Sequence, residues 1–316
     1  MKTSIMEKRE TRRGTKRDSF FYEVKTNKVV YLMMLPAIVC LLIFNYLPML
    51  GLVVAFQNYS PAAGILGSQW LGFDNFIRFF QSPYFLRCIK NTLGLSIYGN
   101  IVGFPAPIIL AILLNEIRCK WYKKCVQTIT YIPHFVSLVV ICGILMDFCS
   151  QDGVINDVIA LFGGKRTNLL MKPELYKTIH VFSDVWREIG WGSIVYLAAL
   201  TAIDASLYEA ASIDGAGRFR QIWHITLPGI ASTVVTMFIL RIGGIMAVGF
   251  EKIILLYNPG IYETAETIST YVYRKGMIDM NFVFSSAVGL FNSVINLIML
   301  VVANRLSKKY NEVGLW

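Results

Sequence analysis

Six stretches of about twenty or more mainly apolar residues divide this chain, at 29–56, 91–114, 126–148, 180–203, 229–250 and 281–304. Each is long enough to carry a helix through the hydrocarbon of a bilayer, which takes about 20 residues. The sequence therefore predicts an all-α polytopic membrane protein with six transmembrane helices. Composition agrees, with 55% hydrophobic and only 16% charged residues over 316 positions and a mean hydropathy of +0.53. Pro36 and Pro48 fall inside the first stretch. Prolines are tolerated in such helices where neighbouring helices or water satisfy the freed carbonyls.

Lys and Arg set the orientation. With the amino terminus inside, the inner segments hold 18 basic residues and the outer segments 10, the bias expected of cytoplasmic loops. Both termini read as cytoplasmic, and so does the link at 204–228. The expected organisation is a basic cytoplasmic tail at 1–28, a transmembrane domain at 29–304 and a second cytoplasmic tail at 305–316. The net charge of +10 includes nine basic residues in the first 28. Their place beside a span points to anionic lipid head groups rather than nucleic acid. The run from Lys8-Arg9 to Lys16-Arg17 reads as an anchor, and the long apolar segment after it does not read as a cleavable signal.

Catalytic patterns are missing from the sequence. Cys40, Cys88, Cys119, Cys125, Cys142 and Cys149 show no CxxC or metal-ligand spacing, and His134, His180 and His224 are scattered. There is no P-loop and no GxSxG. The chain reads as a non-enzyme, with no metal and no cofactor of its own.

The polar link reads SLYEAASIDGAGRFRQIWHITLP from Ser206 to Pro228. Ser206 with Glu209 three residues later fits a capping box, which predicts a helix start. Leu207 to Asp214 supply two turns, Ala210 and Ala211 keep one face low for a close partner, and Gly215 suits the left-handed stop. A second helical run should follow until Pro228, which favours the first turn of the next span. The skeleton Glu209-Ala210-Ala211, Gly215, Ile225 and Leu227-Pro228 resembles the EAA motif of ABC importer permeases. Together with NTLGLSIYGN, LLNEIR at 113–118, TYIPHFVS at 130–137 and the terminal NEVGLW, it resembles the LplB-type polysaccharide permeases of the carbohydrate-uptake group.

That resemblance implies the compact six-helix core of a type I ABC importer (the MetI-like, maltose-permease-like fold) in a bacterial plasma membrane. It implies a second homologous permease, two ATPase subunits that bind the ATP and Mg, and an extracellular lipid-anchored binding protein that delivers an oligosaccharide. Alternating access would be driven through the link, with Glu209, Ala210, Ala211, Asp214, Gly215, Ile225, Leu227 and Pro228 as coupling residues. The same machinery carrying a peptide or amino acid is the alternative; a self-sufficient secondary transporter is a more distant one.

Polar groups at membrane depth mark candidate substrate-pathway residues, because hydrocarbon would make them costly. They are Trp186, Arg187, Glu188 and Tyr196 with Asp184 and Trp191 on the fourth span, Arg241 on the fifth, and Phe250 and Glu251 at its end. In maltose-type relatives sugar contacts come from these two spans, and Trp186 stands where such an aromatic is expected. Two plainer readings stay open. Asp184 and Arg187 are spaced to pair along the helix, and a link to the partner permease is the other reading of Arg241.

The outer loop aromatics Trp70, Phe73, Phe76, Phe79 and Phe80 suit an interfacial belt or lid helix. The loops at 149–179 and 251–280 are long enough to receive a docking protein.

Overall fold

The computed structural model describes residues 26–246, 248–311 and 314. The basic tail through Lys25 and most of NEVGLW lie outside the described residues. Described segments are almost wholly helical. Four runs are long and apolar enough to cross a membrane: Lys28–Phe56, Phe85–Glu116, Leu138–Leu161 and Phe282–Lys309. Two more qualify as bent pairs, Pro173–Thr201 with Ala205–Ile213 and Arg218–Gly229 with Ala231–Gly243.

The chain forms two compact units. The smaller is built on helix α1 (Lys28–Phe56) as far as Val54, and the turn of α1 at Leu42–Tyr46 is widened to π geometry just before Pro48. A proline ring collides with the carbonyl four residues back and offers no N–H, and the wider turn makes room for it.

The larger unit begins with Phe56, Trp70, Phe73 and Phe76, whose rings pack within 5.3–5.7 Å of Phe56. Short helix α2 (Asp74–Gln81) buries Phe79 completely against Tyr271, Phe284 and Phe291. Phe79 is thus a core residue, while Trp70 and Phe73 stay exposed.

Helices α3 (Phe85–Gly103) and α4 (Pro105–Glu116) run on as one length. The stretch expected as a single span at 126–148 is instead two helices, α5 (Lys120–Phe135) and α6 (Leu138–Cys149). The break has a local cause. Val136 and Ser137 are extended, and the Ser137 hydroxyl accepts the Val140 N–H to cap α6.

Within α7 (Val154–Leu161), the buried Asn156 ties the segment from Ser150 to Thr167 shut: its Nδ2 donates to Ser150 O and Thr167 O at 2.6 and 2.7 Å. The central element is α8 (Pro173–Thr201), which packs on α3, α4 and α5. It gets close by carrying glycines at the crossings. A Cβ on Gly190 would lie 2.1 Å from the Thr130 carbonyl oxygen, and one on Gly192 3.0 Å from the Pro107 ring.

The chain then bends by 71° into α9 (Ala205–Ile213), continues through α10 (Arg218–Gly229), and bends by 61° into α11 (Ala231–Gly243). The fifth apolar stretch was expected to run unbroken to Phe250, but α11 stops at Gly243. Phe250 and Glu251 open a separate helix, α12 (Phe250–Leu256). Gly249, in the left-handed region at φ +28°, makes the join, and a Cβ there would stand 3.2 Å from the His180 ring. Helices α13 (Ile268–Tyr273) and α14 (Phe282–Asn311) complete the unit.

All six cysteines are free thiols. The buried Glu266 is paired to both Arg87 and Arg274 and accepts from Tyr257 Oη at 3.3 Å.

Candidate functional site

The polar link folds as a helical hairpin, α9 and α10, fastened from within. Tyr208 Oη and Thr226 Oγ1 are hydrogen bonded at 3.0 Å. Gln221 Nε2 donates to Ser212 Oγ at 3.0 Å and to the Ala216 carbonyl at 3.1 Å. Arg218 pairs with Glu116 at the end of α4, holding the hairpin to the neighbouring span.

The expected capping box is not formed. Asp204, not Ser206, caps α9, its carboxylate accepting the Ser206 N–H at 2.9 Å. A carboxylate two residues earlier reaches an orphan N–H group directly, and Glu209 is left free of that duty and exposed. The helix ends where expected: Gly215 has φ +74° and Ala216 N–H returns to the Ala211 carbonyl at 2.8 Å. Pro228 sits in the last turn of α10, ahead of the bend at Ile230 rather than in the first turn of α11. As in α1, a π turn at Ile222–Thr226 precedes the proline.

Glu209, Ala210, Asp214, Gly215 and Pro228 are exposed, and Ala211, Ile225 and Leu227 are half-buried. Beside them stand apolar side chains that the sequence reading passed over: Ile213 at 87%, Phe219 at 90% and Trp223 at 70% exposure. Their signal was an unexplained apolar residue in a polar link.

A cavity of about 470 Å³ opens between α3, α4, α8 and the end of α11. Its polar lining includes Ser96, Asn100, Asp184, Glu188, Trp191 and Arg241. Of the sequence candidates, Asp184, Glu188, Trp191 and Arg241 line it; Trp186, Arg187, Tyr196, Phe250 and Glu251 do not. Trp186 is half-exposed on another face of α8, and Tyr196 is buried with Leu200 and Ile230. Phe250 packs edgewise on Tyr273 at 5.4 Å. Helical periodicity explains the miss, because residues 184, 188 and 191 share a face that 186 does not.

Each acid of the cavity has its own partner. Asp184 Oδ1 lies 2.6 Å from Nζ of Lys252, which is 2% exposed and donates also to the His180 carbonyl and to Ser183 Oγ at 2.8 Å. The helical Asp184–Arg187 pair is therefore not made. Arg187 turns instead to Glu188 at 3.1 Å, and Glu188 also meets His134 Nδ1 at 2.9 Å. The His134 ring stacks on Trp191 at 4.5 Å and 2°.

Arg241 is held differently. Its Nη1 donates to the Gly103 carbonyl at 3.1 Å and its Nη2 to the Gly99 carbonyl at 2.9 Å. The residue four beyond Gly103 is Pro107, which has no N–H, so the Gly103 carbonyl lacks its helical donor. Glycine at 103 lets the guanidinium lie against the helix, since a Cβ there would stand 2.8 Å from Nη2.

Directly after α11, residues 244–246, 248 and 249 leave the helix, with Gly244, Ile245 and Val248 on the cavity wall. Non-helical backbone at membrane depth is tolerated where it is buried in protein or lines a wet cavity. Two donors steady it: Ser96 Oγ bonds to the Ile245 carbonyl, and the Met246 N–H donates to Asn296 Oδ1 at 2.9 Å.

Comparisons with known proteins place this architecture. The chain is 46% identical over 302 residues to the polygalacturonan/rhamnogalacturonan transport system permease protein YteP of Bacillus subtilis (strain 168), covering 95% of this chain and 94% of that one. It is 44% identical to Protein LplB of the same organism, covering 94% of each. The fold is similar to a chain of a bacterial alginate ABC transporter crystallised with an alginate pentasaccharide-bound periplasmic protein, with TM-score 0.86, 43% identity, and coverage of 93% of this chain and 99% of that one. The family profile described as binding-protein-dependent transport system inner membrane component matches residues 103–312. On that match and on the near full-length relatives, this chain belongs to the inner-membrane permease components of binding-protein-dependent transport systems.

Proposed function

We propose that the chain is one of two permease subunits of an ATP-driven importer of oligosaccharides, its six spans leaving both termini and the α9–α10 hairpin in the cytoplasm. One structural relationship carries the reading: α8 and α11, which wall the cavity, are the two helices joined by the exposed hairpin. A push on the hairpin is therefore a push on two cavity walls. The relatives named for polygalacturonan, rhamnogalacturonan and alginate support sugar polymer fragments as the cargo.

In this mechanism a binding protein anchored outside delivers the oligosaccharide to the cavity. Trp191 offers an apolar ring face, and Glu188, Asp184 and Arg241 offer hydroxyl and anion partners. On the other side two ATP-binding subunits, which hold the ATP and Mg, grip Glu209, Ala210, Ala211 and Asp214, with Phe219 and Trp223 beside them. Gly215 lets α9 turn sharply into α10, so displacement passes along both helices.

The test is ATP-driven uptake by the complete importer in proteoliposomes, with Gly215→Pro and Ala211→Trp variants. Proline at 215 requires φ near −65° where the chain has +74°. Both variants should assemble yet lose uptake and substrate-stimulated ATP turnover. Normal uptake in both sinks the coupling assignment.

A further inference from the structure

The charged groups of the cavity do not cancel. Asp184 is matched by Lys252, and Glu188 by Arg187. Arg241 has no carboxylate at ion-pair distance among the described residues; its recorded partners are the Gly99 and Gly103 carbonyls. A guanidinium has five N–H donors. Two are spent on carbonyls, and three remain beside the cavity.

We propose that the Arg241 guanidinium is a carboxylate subsite that selects acidic, uronate-type sugar residues; this rests on the oligosaccharide reading above. A neutral pyranose entering the cavity gives up only hydroxyl hydration, which Ser96, Asn100 and the two acids replace. A sugar carboxylate gives up the hydration of a full charge, and entry is costly unless a cation meets it. Arg241 is that cation. Its planar fork matches the two carboxylate oxygens, and the carbonyls of Gly99 and Gly103 hold it in place beforehand, which reduces the ordering cost on binding.

A second observation points the same way. Lys252 and Arg187 each lie against one of the two cavity acids, at 2.6 and 3.1 Å, so neither acid stands as an unmatched negative charge to repel an anionic chain. The cavity keeps one positive charge in surroundings of low dielectric, where a charge acts strongly.

The experiment measures binding of a labelled uronate trisaccharide, and of the same trisaccharide with its carboxyl groups reduced to alcohols, to the purified complete permease complex in nanodiscs. The wild type should bind the uronate about tenfold or more tightly than the reduced form, the size expected for charged hydrogen bonds. Arg241→Gln should abolish that preference, lowering uronate binding at least to the level of the reduced sugar. Arg241→Lys should keep part of the preference. Gly103→Ala, which leaves the charge but displaces Nη2, should weaken uronate binding alone.

No preference in the wild type, a preference that survives Arg241→Gln, or loss of complex assembly in Arg241→Gln and Arg241→Lys alike would overturn the subsite; the last outcome would make Arg241 an assembly residue. Failure of the wild-type importer to take up either sugar in proteoliposomes is a separate result, and sinks the oligosaccharide reading itself.

Discussion

Nζ of Lys252 stands 2.6 Å from Oδ1 of Asp184, yet the two ends of the pair differ in surroundings: the lysine side chain is 3% exposed and the aspartate 42%. The asymmetry sets the cost of breaking the pair. Asp184→Asn leaves a buried ammonium with no counter-charge, only neutral acceptors such as the His180 carbonyl and Ser183 hydroxyl, and should destabilise by about 3 kcal/mol or more. Lys252→Met leaves a carboxylate that water in the cavity can solvate, and should cost only about 1–2 kcal/mol. Thermal unfolding of the purified protein checks the order, and a reversed order would refute it.

Helix packing at Gly190 should be intolerant. A methyl group there would fall 2.1 Å from the Thr130 carbonyl oxygen, a rigid backbone atom of α5. Gly190→Ala is expected to lose about 2 kcal/mol or more, because the helices must part. Gly289→Ala is the control, since nothing lies within 4 Å of its Cβ position; it should be neutral or slightly stabilising. Thermal melts of both variants in one detergent decide the matter.

Glu266 should behave as the centre of a unit rather than as a member of two independent pairs. It is fully buried, while its partners Arg87 and Arg274 are 31% and 23% exposed. Glu266→Gln strands both arginines and should cost about 3–5 kcal/mol. Arg87→Ala, which leaves Arg274 and Tyr257 on the carboxylate, should cost less. A double-mutant cycle on Arg87 and Arg274 should show coupling of at least about 0.5 kcal/mol; strict additivity would contradict the arrangement.

The α9 cap should respond to acid. Asp204 is fully exposed, and the Ser206 N–H bond holds its carboxyl below the ordinary carboxylate range of 3.8. Because the folded value is depressed, the cap contributes above the unfolded value and is lost as pH falls through the folded one. Hydrogen exchange in α9 should therefore quicken below about pH 4, and at neutral pH in Asp204→Ala but hardly in Asp204→Asn, since Asn caps as well as Asp. Equal protection in the Ala variant would remove the cap assignment.

The apolar flank of the hairpin gives a last expectation. Phe219→Asp exchanges a side chain that is 90% exposed, so the fold should stay within about 0.5 kcal/mol of the parent. Co-purification of the ATPase subunits should fall at least several-fold. Retention at full yield would show that they do not dock over this residue.

Much of this protein was legible before any coordinates. A helix that closes its own hydrogen bonds crosses hydrocarbon with about 20 apolar residues, so the long apolar stretches announced themselves. Gly215 likewise marked a turn that few other residues make cheaply. Local chemistry misled where two groups competed for one role. Asp204 and Ser206 both suit an N-cap, and only the chain path out of α8 chose the aspartate. Asp184 was spaced to reach Arg187 on its own helix, but Lys252, 68 residues on, arrives first.

What the sequence determined by itself was the class of fold, the polar link between two apolar stretches, and which charged residues fall within those stretches. Tertiary structure decided which of those charges face one another. It turned residues 184, 188 and 191 toward the cavity and Trp186 away, divided the third and fifth stretches, and set Arg241 on the carbonyls of Gly99 and Gly103. The physical reason is range. Hydrophobic length and turn chemistry act within about one helix of sequence, whereas a buried charge takes whichever partner the packing of distant helices brings within about 3 Å.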